Sequence, residues 1–277
     1  MTAWRTVRLA SLALLLASTP GLAQVTCPGG ASTWNDGAGT WNVAGNWTPV
    51  GVPAAGADVC FTTANANPTL PLSTTTVGTL NLLSGANLTL NGGLLRRFAI
   101  NGGINADGIF TFNSNIVAIQ PTASQSWVLN GSGNTFNAPL APAASTTISV
   151  TGAGDLTFNS TAPGGFAGFN FGASLLVLSS NGLGSGTPIT LTGVGSALVI
   201  SSATGLTLDN PVTASASGQL LGVDGSSGVR HGLGPLTISP GVTLEELLAS
   251  GNTVQLQIAG LTLGAGSTLL KLSLIHI

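Results

Sequence analysis

Leu88-Thr89-Leu90-Asn91, Phe110-Thr111-Phe112-Asn113 and Leu156-Thr157-Phe158-Asn159 are three copies of one unit, apolar-Thr-apolar-Asn, and their reading decides the fold. Alternation with a period of two belongs to an extended strand whose successive side chains point to opposite faces. In each copy the two apolar residues share one face, which goes inward, while Thr and Asn share the other. A looser version returns at Leu206-Thr207-Leu208-Asp209 and Leu261-Thr262-Leu263-Gly264.

Working outward from these units, the chain from Thr76 onward is a procession of short β-type segments broken by Gly, Asn, Ser and Pro, which are turn formers. Turn signals every ten or so residues also suit a β-sandwich. Self-similarity argues for stacked coils instead, because stacking places equivalent positions above one another. At ~20 to 25 residues per coil, this region holds roughly eight or nine coils.

The charge content agrees. The chain carries six Lys and Arg and eight Asp and Glu in 277 residues. Like charges stacked at the ~4.8 Å strand spacing repel, whereas Asn, Ser and Thr can form hydrogen-bonded ladders. A polar, Gly-rich chain could also stay disordered, but the recurring Leu, Val, Ile and Phe supply a core. So few basic residues leave no electrostatic footprint for nucleic acid or anionic lipid.

Residues 32–61, STWNDGAGTWNVAGNWTPVGVPAAGADVCF, are unlike the rest. Trp34, Trp41 and Trp47 are almost evenly spaced there. A solenoid cannot leave its first coil exposed, since its apolar core would meet water and its free strand would recruit other chains. The tryptophans are therefore read as cap packing; the alternative is a glycan-stacking platform, which requires exposed and roughly coplanar indoles. Cys27 and Cys60, the only cysteines, flank this block and favour a disulfide in an oxidising compartment. The alternatives are two free thiols or a metal site, the latter poorly supplied because no His and few carboxylates lie between them.

The pattern of Trp34, Trp41, Asn46-Trp47, Gly51-Val52-Pro53 and Gly56-Ala57-Asp58-Val59 resembles the N-terminal signature of autotransporter-type passengers, with Ala57 inserted in the usual Gly-Asp pair. Much of Thr76 to Leu270 is similar to autotransporter-associated strand repeats, for example Gly182 to Gly186 before Thr187-Pro188-Ile189-Thr190-Leu191. The resemblance implies a bacterial surface protein translocated through an outer-membrane β-barrel; glycans or host and neighbouring cell surfaces are the partners expected of an adhesive stalk.

Both ends are read apart from the fold. Arg5 and Arg8 precede the apolar run Leu9 to Ala17, and Gly21-Leu22-Ala23 offers small residues to a signal peptidase, so 1–23 is expected to be a signal peptide and Gln24 the mature N-terminus. Leu272-Ser273-Leu274-Ile275-His276-Ile277 matches the forward translation of a transposon mosaic end, CTG TCT CTT ATA CAC ATC. It is read as a sequencing-adapter tail on a longer natural gene, against the alternative of a hydrophobic last strand.

Catalytic chemistry has little to rest on. Parallel β-helices host polysaccharide lyases and hydrolases, whose sites need clustered carboxylates. Asp36, Asp58, Asp107, Asp155, Asp209 and Asp224 are instead spread singly, mostly beside turn residues. The stretch Asp224-Gly225-Ser226-Ser227-Gly228-Val229-Arg230-His231 holds an acid, hydroxyls and a His, but no G-x-S-x-G elbow, and reads as a solvated loop. Glu245-Glu246 and Arg96-Arg97 read as solvent-facing pairs at turns, and Gly92-Gly93 and Gly102-Gly103 as turns.

The expectation is thus an all-β parallel β-helix (β-solenoid) with an N-terminal Trp-rich cap: signal peptide 1–23, cap region 24–75, solenoid repeats 76–271 and tail 272–277. The functional expectation is a secreted, cell-surface structural or adhesin-like protein with no cofactor, no metal and no catalysis of its own. The rival is an extracellular carbohydrate-active enzyme or glycan-binding module whose active part lies beyond this sequence.

Overall fold

The structure, a computed structural model, describes residues 24–35, 37–93, 96–142, 145–161, 165–226, 228–248 and 254–272. The expected signal peptide, Asp36 and tail residues 273–277 lie outside them. The described chain is a β-solenoid of about ten turns.

The strands stack because their apolar faces cannot be buried within one coil and must be covered by the next. On the first face, Val59, Leu80, Ile104, Trp127, Val150, Phe171, Leu191, Ala214, Ile238 and Leu263 pair in parallel register, each 20 to 25 residues after the one before. On the second face, Leu90, Phe112, Phe136, Phe158, Leu178, Ile200 and Val223 form a corresponding column. A third face is intermittent: Arg97–Ala106 pairs through its first half with Ala118–Pro121, and Arg230–Leu233 pairs with Gln255–Ile258.

Period-two alternation sends the apolar residues of each strand inward, as in Asp155–Phe158, where Leu156 and Phe158 are buried while Asp155 and Thr157 are half-buried. Aromatic rings run through the N-terminal half of the core. Phe98, Phe112, Phe136 and Phe158 follow one another with centroids 6.1, 5.0 and 5.1 Å apart, and Phe158 continues to Phe169 at 5.9 Å.

Three local readings are corrected. Parallel stacking begins at Ser32–Trp34, well ahead of Thr76, because this short strand pairs in parallel with Val59–Phe61, which in turn pairs with Thr75–Leu82. Gly102-Gly103 is no turn but lies inside Arg97–Ala106, where the register slips by one residue and the strand bends from the third face to the first. Glycine is needed there: Gly103 has φ 123°, and a Cβ on it would lie 2.3 Å from the Ser126 carbonyl oxygen. Glu245 and Glu246 lie within the strand Thr243–Leu248, since the backbone continues the ladder from Gln219–Asp224 through them.

The two ends differ. At the N-terminal end, Trp47–Thr48 doubles back antiparallel on Ser32–Trp34, the one antiparallel pair among the described residues, and so stops the parallel ladder. At the other end, Leu261 and Leu263 are 47% and 53% exposed, although Leu236 and Ile238 beneath them are buried.

Candidate functional site

The cap is built by three indoles packed on the end of the core. Trp34 and Trp41 each meet Trp47 edge to face, at 5.0 and 4.7 Å, and Trp41 continues onto Phe98 at 5.6 Å. Their polar edges are satisfied internally: Trp47 Nε1–H donates to the Trp41 carbonyl at 2.8 Å and Trp34 Nε1–H to the Gly37 carbonyl at 3.2 Å. The rings are 1%, 2% and 0% exposed for Trp34, Trp41 and Trp47. A glycan platform needs open, coplanar faces, whereas here the indoles are buried and the planes of the two pairs cross at 80° and 67°.

Cys27 and Cys60 form a disulfide with Cα atoms 5.8 Å apart, inside the usual span for such a bond. The same N-terminal segment is held further along, where the Val25 N–H donates to Asp107 Oδ2 at 2.6 Å. Residues 24–27 thus strap the outside of the first coils, from the level of Cys60 to that of Asp107. A shallow groove beside this contact is lined by Ala64, Gly85, Asn87, Gly108, Gly131 and Ser132.

The outer faces carry polar ladders. Asn113 Nδ2 donates to Asn91 Oδ1 at 2.6 Å and Asn159 to Asn137 at 2.9 Å, each linking a coil to its neighbour, and Asn105 donates likewise to Asn81 at 3.1 Å, where Asn81 is buried. Thr122 Oγ1 donates to Asn101 Oδ1 at 2.7 Å and Asn170 Nδ2 to Ser149 Oγ at 3.3 Å. Each amide can donate one way and accept the other, so the ladder propagates without charge.

The carboxylates are used coil to coil rather than gathered. Asp58 accepts the Thr79 N–H at 2.6 Å, and Asp107 accepts from Asn130 Nδ2 at 2.6 Å as well as from Val25. Asp209 accepts the Ser185 hydroxyl and the Gly186 N–H, and these two bonds hold its carboxyl below the usual carboxylate range. Asp224 accepts from Ser201 Oγ at 3.4 Å. Among the described residues no group of three or more His, Cys, Asp and Glu could hold a metal ion.

The stretch from Asp224 to His231 departs from the solvated-loop reading at its two ends, while Ser226 and Gly228 between them are exposed and outside any strand. Asp224 ends one strand, Arg230 begins the next, and His231 is fully buried while Arg230 is exposed. Sequence reasoning also missed the buried amides. Asn134 occupies an inward position between Phe110 and Leu156, where its Nδ2 donates to the Gly131 and Asp155 carbonyls and its Oδ1 accepts the Phe110 N–H. The available signal was the break in alternation at Asn134-Thr135-Phe136, an Asn where the repeat calls for Leu or Phe.

Fold, cap and ladders define a class, the capped parallel β-solenoid with uncharged outer ladders. Set against protein-family models, curated proteins and solved structures, the chain has no match in any of the three.

Proposed function

We propose that this chain is an exported bacterial surface protein whose solenoid serves as a structural or adhesive stalk and has no catalytic activity of its own. The observation that carries the reading is the set of outer ladders, typified by Asn91-Asn113 and Asn137-Asn159, which repeat amide and hydroxyl groups from coil to coil. A solenoid converts coil number into distance: nine steps from Val59 to Leu263 at ~4.8 Å span roughly 43 Å. Weak contacts to glycans or neighbouring cell surfaces then add along that length by multivalency. The Cys27–Cys60 disulfide favours an oxidising compartment, consistent with export across the inner membrane and passage through an outer-membrane barrel.

The test has two arms. The chain is expressed with its leader in a Gram-negative host, and the mature N-terminus is read by mass spectrometry; a species beginning at Gln24 supports export, and retention of residues 1–23 in the cytoplasm defeats it. Purified protein is then coated on beads and offered to cells and a glycan array, beside a variant carrying Thr111→Lys, Thr135→Lys and Thr157→Lys on one outer face. Adhesion that falls with the variant supports the reading. Binding no better than that of an uncoated bead, or turnover of a polysaccharide by the purified chain, overturns it.

A further inference from the structure

The third face holds an ionisable group where its neighbours are apolar. Thr207 bridges Gly232 and His231 pairs with Leu256, which places Leu206, His231 and Leu256 one above another on adjacent coils. Leu206 and Leu256 pack against the core, and His231 is 0% exposed. It is the one titratable side chain among the buried described residues apart from the disulfide-bonded Cys60.

Its hydrogen bonding fixes the neutral form. Nδ1 accepts the Leu206 N–H at 3.2 Å, so the single ring proton sits on Nε2, which is buried against Asp224-Gly225. A second proton must go onto Nδ1. It would abolish the bond to Leu206 and place a cation between two leucines. Burial accordingly holds the imidazole below the ordinary His range, opposed by the Asp224 backbone and carboxylate.

Few charges nearby can compensate. Asp224, at the end of Gln219–Asp224, is the acid beside it, and Arg230 points away to solvent on the same strand. The packed segments 204–208 and Gln255–Ile258 contain no titratable residue, and Glu245 lies one coil further on the second face.

We infer that His231 is an acid-sensitive latch on the third face: neutral, it ties segment 204–208 to the coil at Arg230–Leu233, and protonated, it lets them part. The backbone bonds that would be released are Leu208 N–H to the Gly232 carbonyl and Gly232 N–H to the Leu206 carbonyl, both 2.9 Å. The opened state binds the proton more readily than the closed one. Closure is therefore complete above the free-His value of about 6.5 and weakens as pH falls through it, by up to about tenfold in the opening constant per pH unit until the depressed folded value is reached.

Native-state hydrogen exchange of the full chain, with opening constants corrected for intrinsic rates, tests this between pH 7.5 and 5. Amides of Leu206, Leu208 and Gly232 should lose about tenfold or more of their protection, while those of Val150 and Phe158 keep theirs. His231→Leu should remove the pH dependence by completing the apolar column. Should that variant misfold, His231→Gln gives the same reading with an uncharged side chain, and imidazole nitrogen shifts of the wild type report the titration directly, with His276→Ala removing the second histidine. Unchanged protection in the wild type, the same acid loss in His231→Gln, or a His231 titration at or above 6.5 would overturn the latch.

Discussion

Trp47 donates its indole N–H to the carbonyl of Trp41 at 2.8 Å while the two rings pack edge to face 4.7 Å apart. One side chain therefore closes the end of the core and satisfies a backbone group that the ladder leaves over. Trp47→Ala should destabilise the protein by about 3–5 kcal/mol, and Trp47→Phe, which keeps much of the ring but loses the donor, by less. Chemical unfolding followed by circular dichroism distinguishes the two; equal midpoints for all three proteins would refute a packing role.

The disulfide closes a loop of 33 residues between the strap and the first coil. Removing it as Cys27→Ala/Cys60→Ala should cost about 3–4 kcal/mol, largely by freeing the unfolded chain. The urea midpoint of the oxidised wild type should exceed that of the double variant, and added reductant should erase the difference. A midpoint indifferent to both would mean the bond contributes nothing.

Corners of the solenoid bring backbones too close for a side chain. A Cβ at Gly131 would lie 2.0 Å from the Gly108 carbonyl oxygen, whereas one at Gly45 meets nothing within 4 Å. Gly131→Ala is expected to cost about 1–3 kcal/mol through overpacking, and Gly45→Ala to stay within about 0.5 kcal/mol. Thermal melts of the pair check this directly, and a neutral Gly131→Ala would show that the corner can relax.

Ile238 and Leu263 occupy the same column one coil apart, the first buried and the second 53% exposed. Ile238→Ala should therefore cost about 2–5 kcal/mol and Leu263→Ala well under half of that. If Leu263→Ala proved as costly, something must cover that end in solution, and sedimentation velocity of the same sample would show whether it is a second copy.

The architecture was legible because its signal is repetitive. Leu156-Thr157-Phe158-Asn159 states which residues go in and which go out, and its recurrence states that equivalent positions stack. The disulfide and cap were legible for a related reason: two cysteines and three tryptophans are rare residues in one block, in a chain whose first coil has to be closed. What stayed hidden were the exceptions. Nothing local separates Gly102-Gly103 from the turn glycines, because both are small and flexible; only the carbonyl of Ser126, from the next coil, gives the bend its reason.

The sequence alone determined an all-β chain with inward Leu and Phe, outward Thr and Asn, and too little charge to do otherwise, because strand periodicity is a property of the backbone that side chains report directly. Only the tertiary structure decided that His231 lies inside and Arg230 outside, that Asn134 fills an apolar position, and that Asp58, Asp107 and Asp209 each serve a neighbouring coil. Those assignments depend on which residue some 20 to 25 positions away stands in register, and that distance varies from coil to coil with no local mark in the chain.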